Sequence, residues 1–112
     1  MIRRSIFTAI LLSVAASAPA FAQCDTRFTI TNRSSSVVNE LYFGRTTNPN
    51  WGQDRLGSNV LPSGGSLDFR PSPGGAYDFR IVFSNGQARE RRNVDLCSVG
   101  TIIVQNNGIS VE

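Results

Sequence analysis

Tyr77-Asp78-Phe79-Arg80-Ile81-Val82-Phe83-Ser84-Asn85-Gly86-Gln87-Ala88-Arg89-Glu90-Arg91-Arg92 is the stretch that decides the fold class. Tyr77, Phe79, Ile81 and Phe83 fall on one face of an extended chain, with Asp78, Arg80 and Val82 on the other. That period of two is what a half-buried strand requires. Ser84-Asn85-Gly86 reads as a three-residue hairpin loop, a type I turn followed by a left-handed glycine. This loop sets Val82 opposite Ala88, Arg80 opposite Glu90 and Asp78 opposite Arg92, which makes two complementary charge pairs. A two-residue Asn-Gly loop would oppose Ile81 with Glu90, a worse match. The favoured register leaves Arg89 and Arg91 on the aromatic face. It therefore calls for a bulge near Arg91-Arg92, or an edge position where arginine stems lie over apolar rings.

Working outward, the same grammar continues in both directions. Residues 27–31 alternate polar and apolar, and a polar turn at 32–36 leads to a second strand over 37–43, with Val37, Leu41 and Phe43 on one face. Residues 46–58 form a long irregular loop carrying Trp51, followed by a brief strand at 59–61. Pro62-Ser63-Gly64-Gly65 turns the chain into an alternating strand at 66–70, and Pro71-Ser72-Pro73-Gly74-Gly75 turns it again. Strands at 101–105 and 109–111, joined through Asn106-Asn107-Gly108, close the chain. About seven short strands with Gly/Pro turns specify an all-β class, a small antiparallel β-sandwich, with a closed barrel as the alternative. The expected core is Phe28, Ile30, Leu41, Phe43, Leu67, Phe69, Phe79, Ile81, Phe83, Val94, Leu96, Ile102 and Val104.

The first residues read differently. Arg3 and Arg4 precede an uncharged apolar run over residues 6–18. Pro19 ends the run, and Ala20-Phe21-Ala22 offers small residues at a peptidase site. Residues 1–22 are expected to be a cleavable secretory signal peptide and 23–112 one β-sandwich domain. The run is shorter than the roughly 20 apolar residues that span a bilayer, so stable membrane insertion after cleavage is not expected. Gln23 before Cys24 speaks against a lipid anchor, and the context of Arg3-Arg4 against a twin-arginine signal. The expected location is periplasmic or secreted.

Charge and cysteines narrow the function classes. All 11 basic residues are arginine and there is no histidine. Removing Arg3 and Arg4 from the 11 leaves nine arginines against 8 acidic residues, a net charge of +1 that argues for no nucleic-acid partner. The 2 cysteines, Cys24 and Cys97, are expected to form a disulfide in an oxidising compartment. They lack CxxC spacing, and zinc would lack its other ligands, so neither a metal nor a cofactor is expected.

Several of these stretches form an ordered signature. They are Glu40-Leu41-Tyr42, Trp51-Gly52-Gln53-Asp54-Arg55-Leu56-Gly57, Leu61-Pro62-Ser63-Gly64, Tyr77-Asp78-Phe79-Arg80-Ile81-Val82-Phe83 and Val94-Asp95-Leu96-Cys97. Together they resemble a group of small, uncharacterised exported proteins of alphaproteobacteria and their relatives, over nearly all of residues 28–104. The resemblance implies a shared β fold and an exported location, and it supplies no catalytic residues.

Catalytic chemistry is thinly represented. Without histidine, acid–base work would fall to carboxylates or to Tyr42 and Tyr77, and there is no GxSxG elbow. No catalytic residue is expected, and the protein reads as a non-enzyme. The alternatives are a small carboxylate-dependent hydrolase or lyase, which would need two acidic groups about 5–10 Å apart in a pocket, and a purely structural envelope protein. The leading expectation is a binding module for a protein or envelope component, acting through the Trp51 loop or a sheet edge.

Two candidate binding clusters follow. In the first, Trp51 is a stacking anchor with Asp54 and Arg55 as polar contacts, since long loops in small domains are often functional. The alternative is that Trp51 caps the open end of the sandwich while Asp54 bonds loop amides. A Ca²⁺ site over Asn48, Asn50, Asp54 and Asn59 fails on spacing and carboxylate count. In the second, Arg89, Arg91 and Arg92 meet an anionic ligand. Its alternative is a solvated strand that pairs with Asp78 and is protected from edge aggregation by charge. Asn32-Arg33-Ser34 matches a glycosylation sequon by chance.

Overall fold

The computed structural model describes residues 24–112, so the export-signal expectation over residues 1–22 lies outside the described residues. Seven strands follow in order: β1 (Phe28–Asn32), β2 (Val38–Arg45), β3 (Ser66–Phe69), β4 (Ala76–Phe83), β5 (Ala88–Asp95), β6 (Thr101–Gln105) and β7 (Gly108–Val111). They form two sheets, ordered β3-β1-β6-β7 and β2-β4-β5. The sheets pack face to face as a sandwich with the core between them. Every pairing is antiparallel except the central β1–β6 pair, which is parallel.

Alternation along each strand builds that core. Phe28 and Ile30, Leu41 and Phe43, Phe79 and Ile81, and Ile102 and Val104 are all fully buried. Phe28 packs edge-on against Phe43 and Phe79 of the other sheet, each with ring centroids 5.2 Å apart, and stacks on Phe69 at 5.6 Å. These rings tie the two layers together by the edge-to-face geometry that aromatic quadrupoles favour.

The decisive hairpin has the expected register: Val82 opposes Ala88 and Arg80 opposes Glu90, and Gly86 takes φ 90°. The irregularity sits between Tyr77 and Phe79, opposite Arg92 and Asn93. Asn93 takes φ 62°, which lets the chain turn Val94 back into the core.

Four details differ from the sequence reading. Val38, not Val37, joins Leu41 and Phe43 in the core, because a bulge between Val38 and Glu40 resets the alternation. Residues 59–61 form no strand; only Leu61 bridges to Val38. Leu67 is 40% exposed, because it faces the open side of the sandwich. Tyr77, Leu56, Leu61 and Ile109 also belong to the core.

Cys24 and Cys97 form the expected disulfide, with Cα atoms 5.3 Å apart. The bond joins the approach to β1 in one sheet to the turn after β5 in the other. Such a bond fits an oxidising compartment. No helix among the described residues is long and apolar enough to cross a membrane.

Candidate functional site

The Trp51 loop is held by its own polar groups. Asp54 Oδ1 accepts hydrogen bonds from the Leu41 and Leu56 N–H groups, both at 2.9 Å. Arg55 N–H donates to the Leu41 carbonyl at 2.6 Å, and its guanidinium donates to the Phe43 carbonyl at 3.0 Å while lying 4.2 Å from the Phe43 ring centroid. Leu61 and Val38 exchange two further backbone bonds at 2.9 Å. Residues 54–61 thus run along the outer edge of β2 and satisfy its carbonyls at Val38, Leu41 and Phe43. Trp51 is half-buried, and its ring lies 5.0 Å under the Arg92 guanidinium, so the structure brings the two sequence-derived clusters into contact.

The arginines of β5 are divided between two faces. Arg92 donates to Asp78 at 3.1 Å and to Glu90 at 2.8 Å, and Arg80 donates to Glu90 at 2.6 Å. Asp78 also accepts from the Asn93 N–H and the Thr46 hydroxyl, each at 2.8 Å. Burial pushes the Asp78 carboxyl up, but the Asn93, Thr46 and Arg92 donors outweigh it and hold it below its ordinary value. Glu90 is held low by its bond to Arg92. Both carboxylates therefore stay ionised at neutral pH, separated by a guanidinium.

Arg89 and Arg91 point to the aromatic side, as the register required, and leave the sandwich sideways. Arg89 donates to the Asn106 carbonyl at 2.9 and 3.1 Å, and Arg91 donates to the Ile109 carbonyl at 3.3 Å. They bridge β5 to the β6–β7 hairpin, and the Arg89 guanidinium lies 5.6 Å from the Phe83 ring centroid. Their heads bond one carbonyl in the β6–β7 turn and one in β7.

Sequence reasoning passed over two features. Asn32 is fully buried. Its Nδ2 donates to the Ser36 and Leu61 carbonyls at 2.8 and 3.0 Å, and its Oδ1 accepts from Ser34. This amide is committed internally, which gives the sequon match no role. The polar run around it was legible as a turn, but its long-range partner Leu61 was not.

The second is the edge at β3. Asn32 N–H donates to Gly65 O and Thr29 N–H donates to Gly100 O, so β1 bonds β3 through its even-numbered residues and β6 through its odd-numbered ones. By the same alternation Leu67 and Phe69 turn their backbone groups to β1, and the N–H and C=O of Ser66 and Asp68 point outward, with no partner among the described residues. Beside this edge lies an open groove of about 710 Å³ between β3 and residues 55–62, lined by Leu56, Val60, Leu61, Leu67, Phe69 and Arg55. Val60 and Leu67, 50% and 40% exposed, are its apolar walls. Gly65 keeps the turn tight, since a Cβ there would sit 3.0 Å from Leu61 Cδ1.

Among the described residues no cluster of three or more His, Cys, Asp or Glu side chains is placed to hold a metal ion. No family model and no curated protein matches the chain. The fold is similar to an NMR structure of a protein from Eubacterium rectale, at TM-score 0.58 and 14% identity, over 80% of this chain and 90% of that one. That likeness is one of fold alone.

Proposed function

We propose that this protein is an exported, non-catalytic binding module that takes a segment of another protein along the open edge of β3. The observation that carries the reading is the unequal treatment of the sheet edges. The β2 edge is covered by residues 54–61, and β5 and β7 face each other across the Arg89 and Arg91 bridges. β3 turns the backbone groups of Ser66 and Asp68 outward beside an apolar groove, with no element laid over them among the described residues. An exposed edge next to side-chain pockets is the arrangement by which extended peptides add a strand to a sheet. Support for a non-catalytic role comes from the carboxylates: Asp78 and Glu90 share Arg92, and Asp54 is bonded to loop amides. Export to the periplasm or beyond is supported by the disulfide and by the character of residues 1–22.

The test is selection of random displayed octapeptides on the purified, oxidised protein, followed by amide mapping of the binders by NMR. Binders that shift the Ser66–Phe69 amides, survive Trp51→Ala and are lost with Ser66→Pro support the reading. Proline there removes an outward-pointing N–H and the hydroxyl contact to Thr31, and leaves the β1–β3 ladder bonds in place. Binders that map to Trp51 and are indifferent to Ser66→Pro would move the site to the loop, and an absence of binders would favour a structural envelope role.

A further inference from the structure

The β3 groove is not electrically uniform. At its Phe69 end Arg55 lies over the Phe43 ring, and Phe43 in turn packs on Phe69 with centroids 5.2 Å apart. Arg55 forms no ion pair among the described residues and has one hydrogen bond from its guanidinium, to the Phe43 carbonyl. Arg45, two residues beyond Phe43 on the same face of β2, also lacks an ion pair, and its buried Nε has no hydrogen-bond partner. Its guanidinium lies against Gly75, where a Cβ would meet it at 3.5 Å. Burial raises the phenol of Tyr77, the cross-strand partner of Arg45, above its ordinary value, and the Arg45 and Arg55 charges work against that rise. Of the two, Arg55 lines the groove, so one cation without an ion pair stands at the end of a groove whose other wall is apolar.

The outer face of β3 has the opposite sign. Asp68 projects there and accepts a hydrogen bond from Thr29 Oγ1 at 2.6 Å, beside the Thr31–Ser66 hydroxyl contact at 2.9 Å. A strand added to β3 alternates its side chains between these two environments. The geometry points to an occupant with a readable pattern: an extended partner segment, antiparallel to β3, with an acidic residue opposite Phe69, a basic residue opposite Asp68 and a β-branched apolar residue opposite Leu67. The acidic side chain turns inward to Arg55, the basic one turns outward to Asp68, and the apolar one closes on Leu67 and Val60. Antiparallel addition is chosen because its ladder is the more stable per residue. The inference rests on the edge-binding reading and specifies its ligand.

The probe is a blocked synthetic peptide with Glu-Lys-Val-Thr at its centre, titrated into the oxidised protein at low salt and followed by amide shifts. Replacing the peptide glutamate by glutamine, or Arg55 by glutamate in the protein, is expected to weaken binding about fivefold, the size of a partly exposed ion pair. A peptide with lysine in the first position should bind Arg55→Glu better than wild type, a reversal that no loss of folding could produce. Arg55→Gln, with amide dispersion unchanged, is the milder control. Equal affinity for the glutamate and glutamine peptides, with binding still lost in Ser66→Pro, would overturn the charge pattern and leave the edge reading standing. If no peptide of either charge moves the Ser66–Phe69 amides, both fall together.

Discussion

Arg92 reaches Asp78 at 3.1 Å across the bulge of the β4–β5 ladder, so the one buried carboxylate of the sheet is bound to a mostly exposed guanidinium. The same carboxylate accepts the Asn93 N–H that the bulge frees from the ladder. The bulge and the ion pair are therefore one device: the extra residue aims its amide at the carboxylate.

Because the folded Asp78 carboxyl lies below its ordinary value near 3.8, its contribution is fully present above that pH and is lost as pH falls through the folded value. Glu90 acts in the same direction. Stability measured by denaturant titration should therefore decline on acidification below about pH 4. Asp78→Asn should be less stable than wild type at pH 7 by about 1–3 kcal/mol and should show a shallower acid decline. An unchanged pH slope in the variant would remove Asp78 from this role.

Asp54→Ala leaves the Leu41 and Leu56 amides without their acceptor and should cost about 1–3 kcal/mol. Trp51 is the single tryptophan, so its emission reports directly on the loop. A red shift in Asp54→Ala under native conditions, at unchanged far-UV dichroism, is the expected signature of a loop released from β2.

Asn93 stands at φ 62°, where a β-branched side chain is strained. Asn93→Val should lose about 1–2 kcal/mol, while Asn93→Gly should fall within a few tenths of wild type, because glycine adopts that conformation freely. Paired thermal melts of the two variants distinguish backbone strain from loss of the asparagine side chain, which would affect both alike.

Asn32→Ala leaves the Ser34 N–H without its acceptor and takes one of two donors from each of the Ser36 and Leu61 carbonyls. The expected loss is about 3 kcal/mol, with amide exchange accelerating first at residues 33–36 and 61.

Reducing the disulfide, or replacing Cys24 and Cys97 together by serine, opens a link between residues separated by 73 positions. The chain-entropy model puts the loss at about 4 kcal/mol, checked by urea unfolding of each form fitted with its own slope, which is expected to rise as the unlinked unfolded chain expands.

How much of this was legible follows from sequence distance. The hairpin was readable in register from Val82–Ala88 to Arg80–Glu90, with a bulge near Arg91-Arg92 as one of two readings, because those partners lie within a few residues of the loop. The misassigned Val37 shows the limit of parity arguments, since one added residue at Val38–Glu40 reverses every side chain before it. Leu67 has the alternation of a core residue, and what exposes it is the absence of a facing strand, a property of sheet order that no local pattern carries. The targets of Arg89 and Arg91 were hidden for the same reason: both are backbone carbonyls of the β6–β7 hairpin, distant in sequence. The open edge of β3 was the least legible feature. It depends on where residues 54–61 settle, and they settle on β2.

The position of the disulfide also governs what two copies of this chain can exchange. Oxidation makes a covalent ring of residues 24–97, and β6 and β7 lie beyond it. Strands β1 to β5 are confined to their own ring, whereas the C-terminal hairpin is attached only through residues 98–100. It fills the second side of β1, with Ile102 and Val104 in the core. A swapped dimer that trades this hairpin leaves β1 to β5 of each copy within its own closed ring, with Arg89 and Arg91 then bonding across the two chains.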